Sequence, residues 1–278
     1  MANSYSIGSI FNIPIRVHVT LLIFLPLFAF SFMPVDGPLG LFYGALGAVG
    51  LFGSVVLHEV GHSLVARAKG SRILEILLLP IGGMARLDRL PPRPADEIQT
   101  ALAGPAVSLA LGVAGLFSAP FVFTFNPLLA VMVHELGRIN VMLVLFNLIP
   151  SFPMDGGRVF RAVLTPRLGR LFATQIAAKV GRAFAWIFGI LAVLPLLHNG
   201  HINFSLLLIA YFVYQSAGAE ARQAEFEAAY ARQRAQNGGI FQIPEADIHV
   251  SPPPYARPRP APPAAAKGLF DDLLDKWR

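Results

Sequence analysis

The chain has 278 residues, of which 55% are hydrophobic and 14% charged, and its mean hydropathy is +0.59. Soluble domains carry about a quarter charged residues, so this composition excludes a single water-soluble globule, and the absence of cysteine excludes a disulfide scaffold. The net charge of +6 comes without any aromatic-interleaved basic patch, so no nucleic-acid partner is expected, and the surplus cations are expected to set membrane topology instead.

In chain order, the first residues lack the basic start, unbroken apolar core and small-residue cleavage site of a signal peptide, so the first span is expected to be retained. Crossing a bilayer as a helix takes about 20 mostly apolar residues, because hydrocarbon offers no partner to a free backbone amide or carbonyl. Spans are predicted at about 17–33 and 39–65, separated by the turn-forming stretch 34–38. Residues 98–133 contain no Asp, Glu, Lys, Arg or His, too long a run for one helix, and Pro120 and Asn126-Pro127 mark the break into a third and a fourth span, the latter reaching about Pro150. Residues 183–219, free of Asp, Glu, Lys and Arg and punctuated at 198–201, supply the fifth and sixth. The predicted class is an all-α polytopic membrane protein with six transmembrane helices. Six cations lie in 67–93 and six in 158–182, and none in the three alternate connections, so both termini and both basic loops are expected on the cytoplasmic side. Arg138 breaks this pattern and is expected to pair with Glu135 three residues earlier.

The spans and their connections make a core over 1–217. Residues 218–249 combine helix formers with mixed charges and read as a cytoplasmic helical extension. A Pro-rich linker follows at 250–266. In 267–278, Leu269, Phe270, Leu273, Leu274 and Trp277 fall on one helical face. That segment reads either as a frayed terminal helix or as one that docks on a partner or on the inner membrane surface.

The second span carries His58-Glu59-Val60-Gly61-His62. Residues four apart share a helix face, so His58 and His62 can both aim ring nitrogens at one metal ion. A carboxylate beside the first ligand can take a proton from water acidified by that metal and deliver it to a leaving amine. At membrane depth each ionisable side chain costs about 3 kcal/mol unless it is buried with a partner or lines a wet cavity, so a chance occurrence is the minor reading. Catalytic zinc takes three protein ligands and one open position. The best third candidate is Asp155, in Asn147-Leu-Ile-Pro150-Ser-Phe-Pro153-Met-Asp155-Gly156-Gly157, where prolines and glycines preclude regular helix and where the topology brings the second and fourth spans to the same side. A helix-ending turn with a surface Asp is the plainer reading of that segment taken alone.

Together, the HExxH and the N-x-x-P-x-x-P-x-D-G-G segment resemble the site-2 protease family of intramembrane zinc metalloproteases. Phe11-Asn-Ile-Pro-Ile-Arg-Val-His-Val-Thr20 and Gly104-Pro-Ala-Val-Ser108 resemble further family features, and the likeness covers about residues 7–217. It implies one zinc ion per chain held by His58, His62 and Asp155, with Glu59 as the general base. Asn147 is implied beside the site, to bind the substrate backbone or the oxyanion, although a role in tying down its own loop is nearly as good a reading. Gly82-Gly83 corresponds to a small membrane-associated β-hairpin between the second and third spans, where an unwound substrate segment could add as a strand. The implied activity is hydrolysis of peptide bonds in or near the transmembrane segment of a membrane-anchored protein, as in regulated intramembrane proteolysis, in a bacterial or archaeal cell membrane. The spans leave no room for a PDZ insertion, and the tail is too short and Pro-rich for paired CBS domains. His18, His134, His198, His201 and His249 lack ligand spacing to one another. Two other classes stay open on the residues: a metal or ion transporter, against which no internal repeat of the site segments is found, and an inactive relative serving as a binding scaffold, against which stands the intact Glu59.

Overall fold

The computed structural model describes residues 4–30, 37–80, 82–88, 93–196 and 200–237. The predicted linker at 250–266, the terminal amphipathic helix at 267–278 and the end of the helical extension lie outside these residues. Residues up to Arg232 form one compact unit, and those from Gln233 belong to a second.

Two strands precede the first helix: β1 (Ser4–Ile10) and β2 (Ile13–His18). Phe11 and Asn12 join them at φ 51 and 62, the left-handed pair that a two-residue hairpin needs to match strand twist. β2 then pairs in parallel with β3 (Ile73–Leu79), Ile15 opposite Ile76 and Val17 opposite Leu78. β4 (Gly82–Leu87) returns antiparallel to β3, with Ile76 opposite Ala85. The order β1-β2-β3-β4 leaves β4 at one edge. Alternation along β2 puts Ile13, Ile15 and Val17 on one buried face with Ile76 and Leu78 of β3, against Phe52, Val56 and Val60 of the helix α2 (Pro38–Ala68). Those three α2 residues recur every four positions, so one helix stripe binds the sheet and another is left for neighbouring helices.

The remaining helices are α1 (Val19–Phe30), α3 (Pro94–Phe123), α4 (Pro127–Asn147), α5 (Asp155–Leu168), α6 (Arg170–Val193) and α7 (Phe204–Asn237). Among the described residues four of the seven helices, α2, α3, α4 and α6, are long and apolar enough to cross a membrane; α1 shows 12 helical residues and α7 runs unbroken past residue 217. Large apolar side chains face outward, Phe117 at 81% and Phe121 at 69% exposure, as a lipid-solvated surface requires and water would penalise. The expected break between the third and fourth spans is set by Asn126, whose side chain accepts from the Leu129 amide at 3.0 Å ahead of Pro127 at the first helical position. Pro120 instead sits inside the last turn of α3. Beyond that break, α3 and α4 approach backbone to backbone: a Cβ on Gly137 would stand 2.8 Å from the Leu116 amide nitrogen, which is why small residues occupy this crossing.

Several charges of this apolar body are paired. Arg138 Nε donates to Glu135 at 2.9 Å, the expected i,i+3 pair. Less visible in the sequence is Glu97 at the start of α3, 5% exposed, which accepts from Arg161 Nε of α5 at 2.9 Å and from Arg170 of α6 at 3.4 Å, while Arg161 also reaches Glu220 of α7 at 3.5 Å. This cluster ties four helices together around two buried charges, neither of which would be tolerated alone.

Candidate metal centre

His58, Glu59 and His62 sit in the C-terminal half of α2, within about three turns of its end at Ala68. Both histidines are buried, on the side of α2 that meets α3. Close approach of the two helices depends on Gly61, where a Cβ would stand 2.9 Å from the Ala103 carbonyl, and on Gly104, where a Cβ would collide with the His62 ring.

Asp155 arrives from the other half of the chain. The irregular backbone predicted for 147–158 is confined to 148–154, and Asp155 opens α5, with Gly156 and Gly157 in its first helical turn. The glycines are there for space rather than to break the helix: a Cβ on Gly157 would stand 2.5 Å from the Ser151 carbonyl carbon, and one on Gly156 would overlap the backbone of residues 148–149. The preceding loop is thus folded tightly onto α5, which fixes where Asp155 points.

His58 Nε2, His62 Nε2 and Asp155 Oδ2 form a nearly equilateral triangle, with sides of 3.1 Å between the imidazoles, 3.1 Å from His62 to Asp155 and 3.3 Å from His58 to Asp155. Tetrahedral zinc with bonds of about 2.0–2.1 Å spaces its ligand atoms about 3.3 Å apart, so the triangle has the size that such an ion requires. The far nitrogens are engaged as well: His62 Nδ1 lies 2.7 Å from the Thr100 carbonyl oxygen and His58 Nδ1 lies 2.8 Å from Ser108 Oγ. A carbonyl only accepts, so His62 carries its proton on Nδ1, and the lone pair of the neutral ring points from Nε2 into the triangle. An Asp carboxyl is ionised at neutral pH, so buried Asp155 beside the two imidazoles offers the anionic oxygen a metal needs. The donor set fits zinc.

The seven predicted site residues line one cavity of about 460 Å³: His58, Glu59, His62, Asp155, Asn147, Gly82 and Gly83. Glu59 stands outside the triangle, and its Oε2 accepts from the Ala85 amide of β4 at 3.2 Å. Gly83 is needed beside it, since a Cβ there would come 2.5 Å from Glu59 Cγ. Among the other histidines, His18 contacts Thr20 at 2.8 Å and His134 contacts Glu135 at 3.6 Å, whereas His198 and His249 lie outside the described residues. Sequence reading missed Thr100, whose contribution is a backbone oxygen that no residue type announces, and it had Gly104 and Ser108 only as part of a family likeness, with no role for either.

Comparison with known proteins places the chain in a family of metalloproteases. The family model of peptidase family M50 matches residues 46–135 and 126–188. A zinc metalloprotease of Methanocaldococcus jannaschii is 39% identical over 241 residues, covering 85% of this chain and 66% of the relative. Stage IV sporulation protein FB of Bacillus subtilis is 26% identical over 185 residues, covering 65% of this chain and 63% of that protein. The chain therefore spans just under two thirds of the length of these curated relatives. The solved site-2 protease from Methanocaldococcus jannaschii superposes with a TM-score of 0.58 at 36% identity, covering 78% of this chain and 95% of that one. With the HExxH helix, the carboxylate opening α5 and these likenesses together, the chain belongs to peptidase family M50, the site-2 protease family of intramembrane zinc metalloproteases.

Proposed function

We propose that this protein is a zinc metalloendopeptidase that hydrolyses peptide bonds in or near the transmembrane segment of a membrane-anchored protein. The observation that carries the reading is the triangle of His58, His62 and Asp155, with both histidines and the adjacent Glu59 supplied by a helix long and apolar enough to span a bilayer. Bound there, zinc supplies Lewis acidity that acidifies water and polarises the scissile carbonyl. Glu59 accepts the proton from the attacking water and passes it to the departing amine. Asn147, on the cavity wall, donates its side-chain amide to the substrate backbone or to the developing oxyanion. An extended substrate segment adds to the edge strand β4, with Gly82 and Gly83 leaving room for its backbone. An unwound strand is the form required, since a helical peptide keeps its carbonyls turned into its own hydrogen bonds.

The test is direct. Purified in detergent, the protein is expected to carry one zinc per chain and to cut members of a panel of tagged single-span proteins, with cleavage lost on chelation and restored by zinc. Zinc-loaded protein that cuts none of them would overturn the protease reading.

We further propose six spans, with α1 and α7 as the first and sixth, and both termini on the cytoplasmic side of a bacterial or archaeal cell membrane. The core then occupies 1–217, followed by the helical extension, the linker and a terminal helix that docks on a partner or on the membrane. The cation distribution supports this topology. Reporter fusions after residues 36, 122 and 200 should read as external and those after 90, 170 and 240 as cytoplasmic; a cytoplasmic signal at 122 overturns the scheme.

A further inference from the structure

Both ligand histidines rest on a single neighbouring helix. Along α3, Thr100, Gly104 and Ser108 recur at four-residue intervals and share one face, about 12 Å from end to end. Each meets a histidine in a different way. The Thr100 carbonyl receives His62 Nδ1, Gly104 yields the volume that the His62 ring fills, and Ser108 Oγ contacts His58 Nδ1. The order is reversed between the helices, His62 beside Thr100 and His58 beside Ser108, as an antiparallel α2/α3 pair requires.

The two imidazoles are held by unequal means. His62 faces a backbone oxygen, a partner that cannot donate and that no substitution removes. His58 faces a hydroxyl, which can accept from Nδ1–H or donate to a bare Nδ1. The choice decides what His58 offers on its other side. If the hydroxyl donates, the neutral ring carries its proton on Nε2, aimed at His62 Nε2 at 3.1 Å and Asp155 Oδ2 at 3.3 Å, where a metal would have to sit. If the hydroxyl accepts, Nε2 presents a lone pair and matches the orientation that Thr100 imposes on His62. Ser108 is fully buried, so no water competes for this contact.

We propose that Ser108 is a positioning residue of the metal centre, its hydroxyl accepting from His58 Nδ1–H and thereby turning the His58 Nε2 lone pair toward the ion. The assignment rests on the zinc reading above. It places Ser108 outside the ligand set and gives Gly104-Pro-Ala-Val-Ser108 two distinct duties, space for one imidazole and orientation for the other. Partners of this kind typically set 10- to 100-fold in metal affinity.

The test measures zinc affinity by chelator competition and the visible absorption of the cobalt-substituted protein. Ser63 of α2 supplies the matched control, since it too is a buried serine, but its hydroxyl has no hydrogen-bond partner among the described residues. Ser108→Ala is expected to weaken zinc about 10- to 100-fold and to change the cobalt band, because a reoriented imidazole alters the ligand field. Ser63→Ala is expected to leave both unchanged. If Ser108→Ala does not fold, Ser108→Cys decides: a thiol of similar shape that accepts hydrogen bonds poorly should still cost at least about fivefold. Wild-type affinity and an unaltered cobalt band in Ser108→Ala or Ser108→Cys overturn the proposal, as does an equal loss in Ser63→Ala. Failure of the zinc reading looks different, because the unaltered protein would then bind no zinc and His58→Ala would change nothing.

Discussion

Glu59→Gln is expected to keep zinc in place and to lower cleavage by about 10²- to 10⁴-fold, the usual worth of a positioned proton-transfer group. The two halves of that expectation have separate origins. Metal retention follows because Glu59 lies outside the triangle of His58, His62 and Asp155. Loss of rate follows because an amide is nearly isosteric with the carboxylate but cannot take a proton. The substitution is also unusually clean here, since the Gln carbonyl oxygen can still accept from the Ala85 amide that holds Glu59 Oε2 at 3.2 Å, so the side chain keeps its place. Zinc content and single-turnover cleavage, measured on one preparation over a thousandfold range, check both halves. More than a tenth of wild-type cleavage would remove Glu59 from the mechanism.

His58→Ala and His62→Ala are expected to lose metal and activity together, with affinity falling more than about 100-fold, beyond the loss of an outer contact. Each removes one corner of a triangle whose sides are 3.1–3.3 Å. Asp155→Asn should weaken zinc and cleavage in parallel and be partly rescued by added zinc, because an amide oxygen still reaches the site but lacks the charge. Unchanged zinc occupancy in Asp155→Ala would strike Asp155 from the ligands. Dialysis against buffered zinc followed by metal analysis distinguishes these outcomes.

Much of the site was legible because its chemistry is local in sequence. HExxH puts two candidate ligands on one helix face with a carboxylate between them, and Asp155 is flanked by prolines and glycines that have no reason to end an ordinary helix. The glycines were nevertheless misread. Gly156 and Gly157 are helical, and their small size admits the folded-back loop at 148–154, a tertiary demand that no local pattern encodes. The sheet was only half visible: β3 and β4 entered through the family likeness, but the pairing of β2 with β3 joins segments about sixty residues apart and depends on a shared apolar face. The Glu97–Arg161 cluster was hidden for the same reason, since 64 residues separate its central pair. The segment from Gly104 to Ser108 entered as a family likeness, but what each residue touches required knowing which helix lay opposite.

That the third donor stands 93 residues from His62 also gives the order of events as the chain is made. A nascent chain extended only through α3 already holds both imidazoles and the α3 groups that orient them, yet its metal corner is open on one side. Asp155 arrives only after α4 has been threaded and the loop before α5 has folded back. On the proposed ligand set, firm zinc loading is expected only late in biogenesis, and a truncated or misinserted chain would carry the HExxH without a competent centre. Any cutting function would then arise only once the helices that confine it are in place.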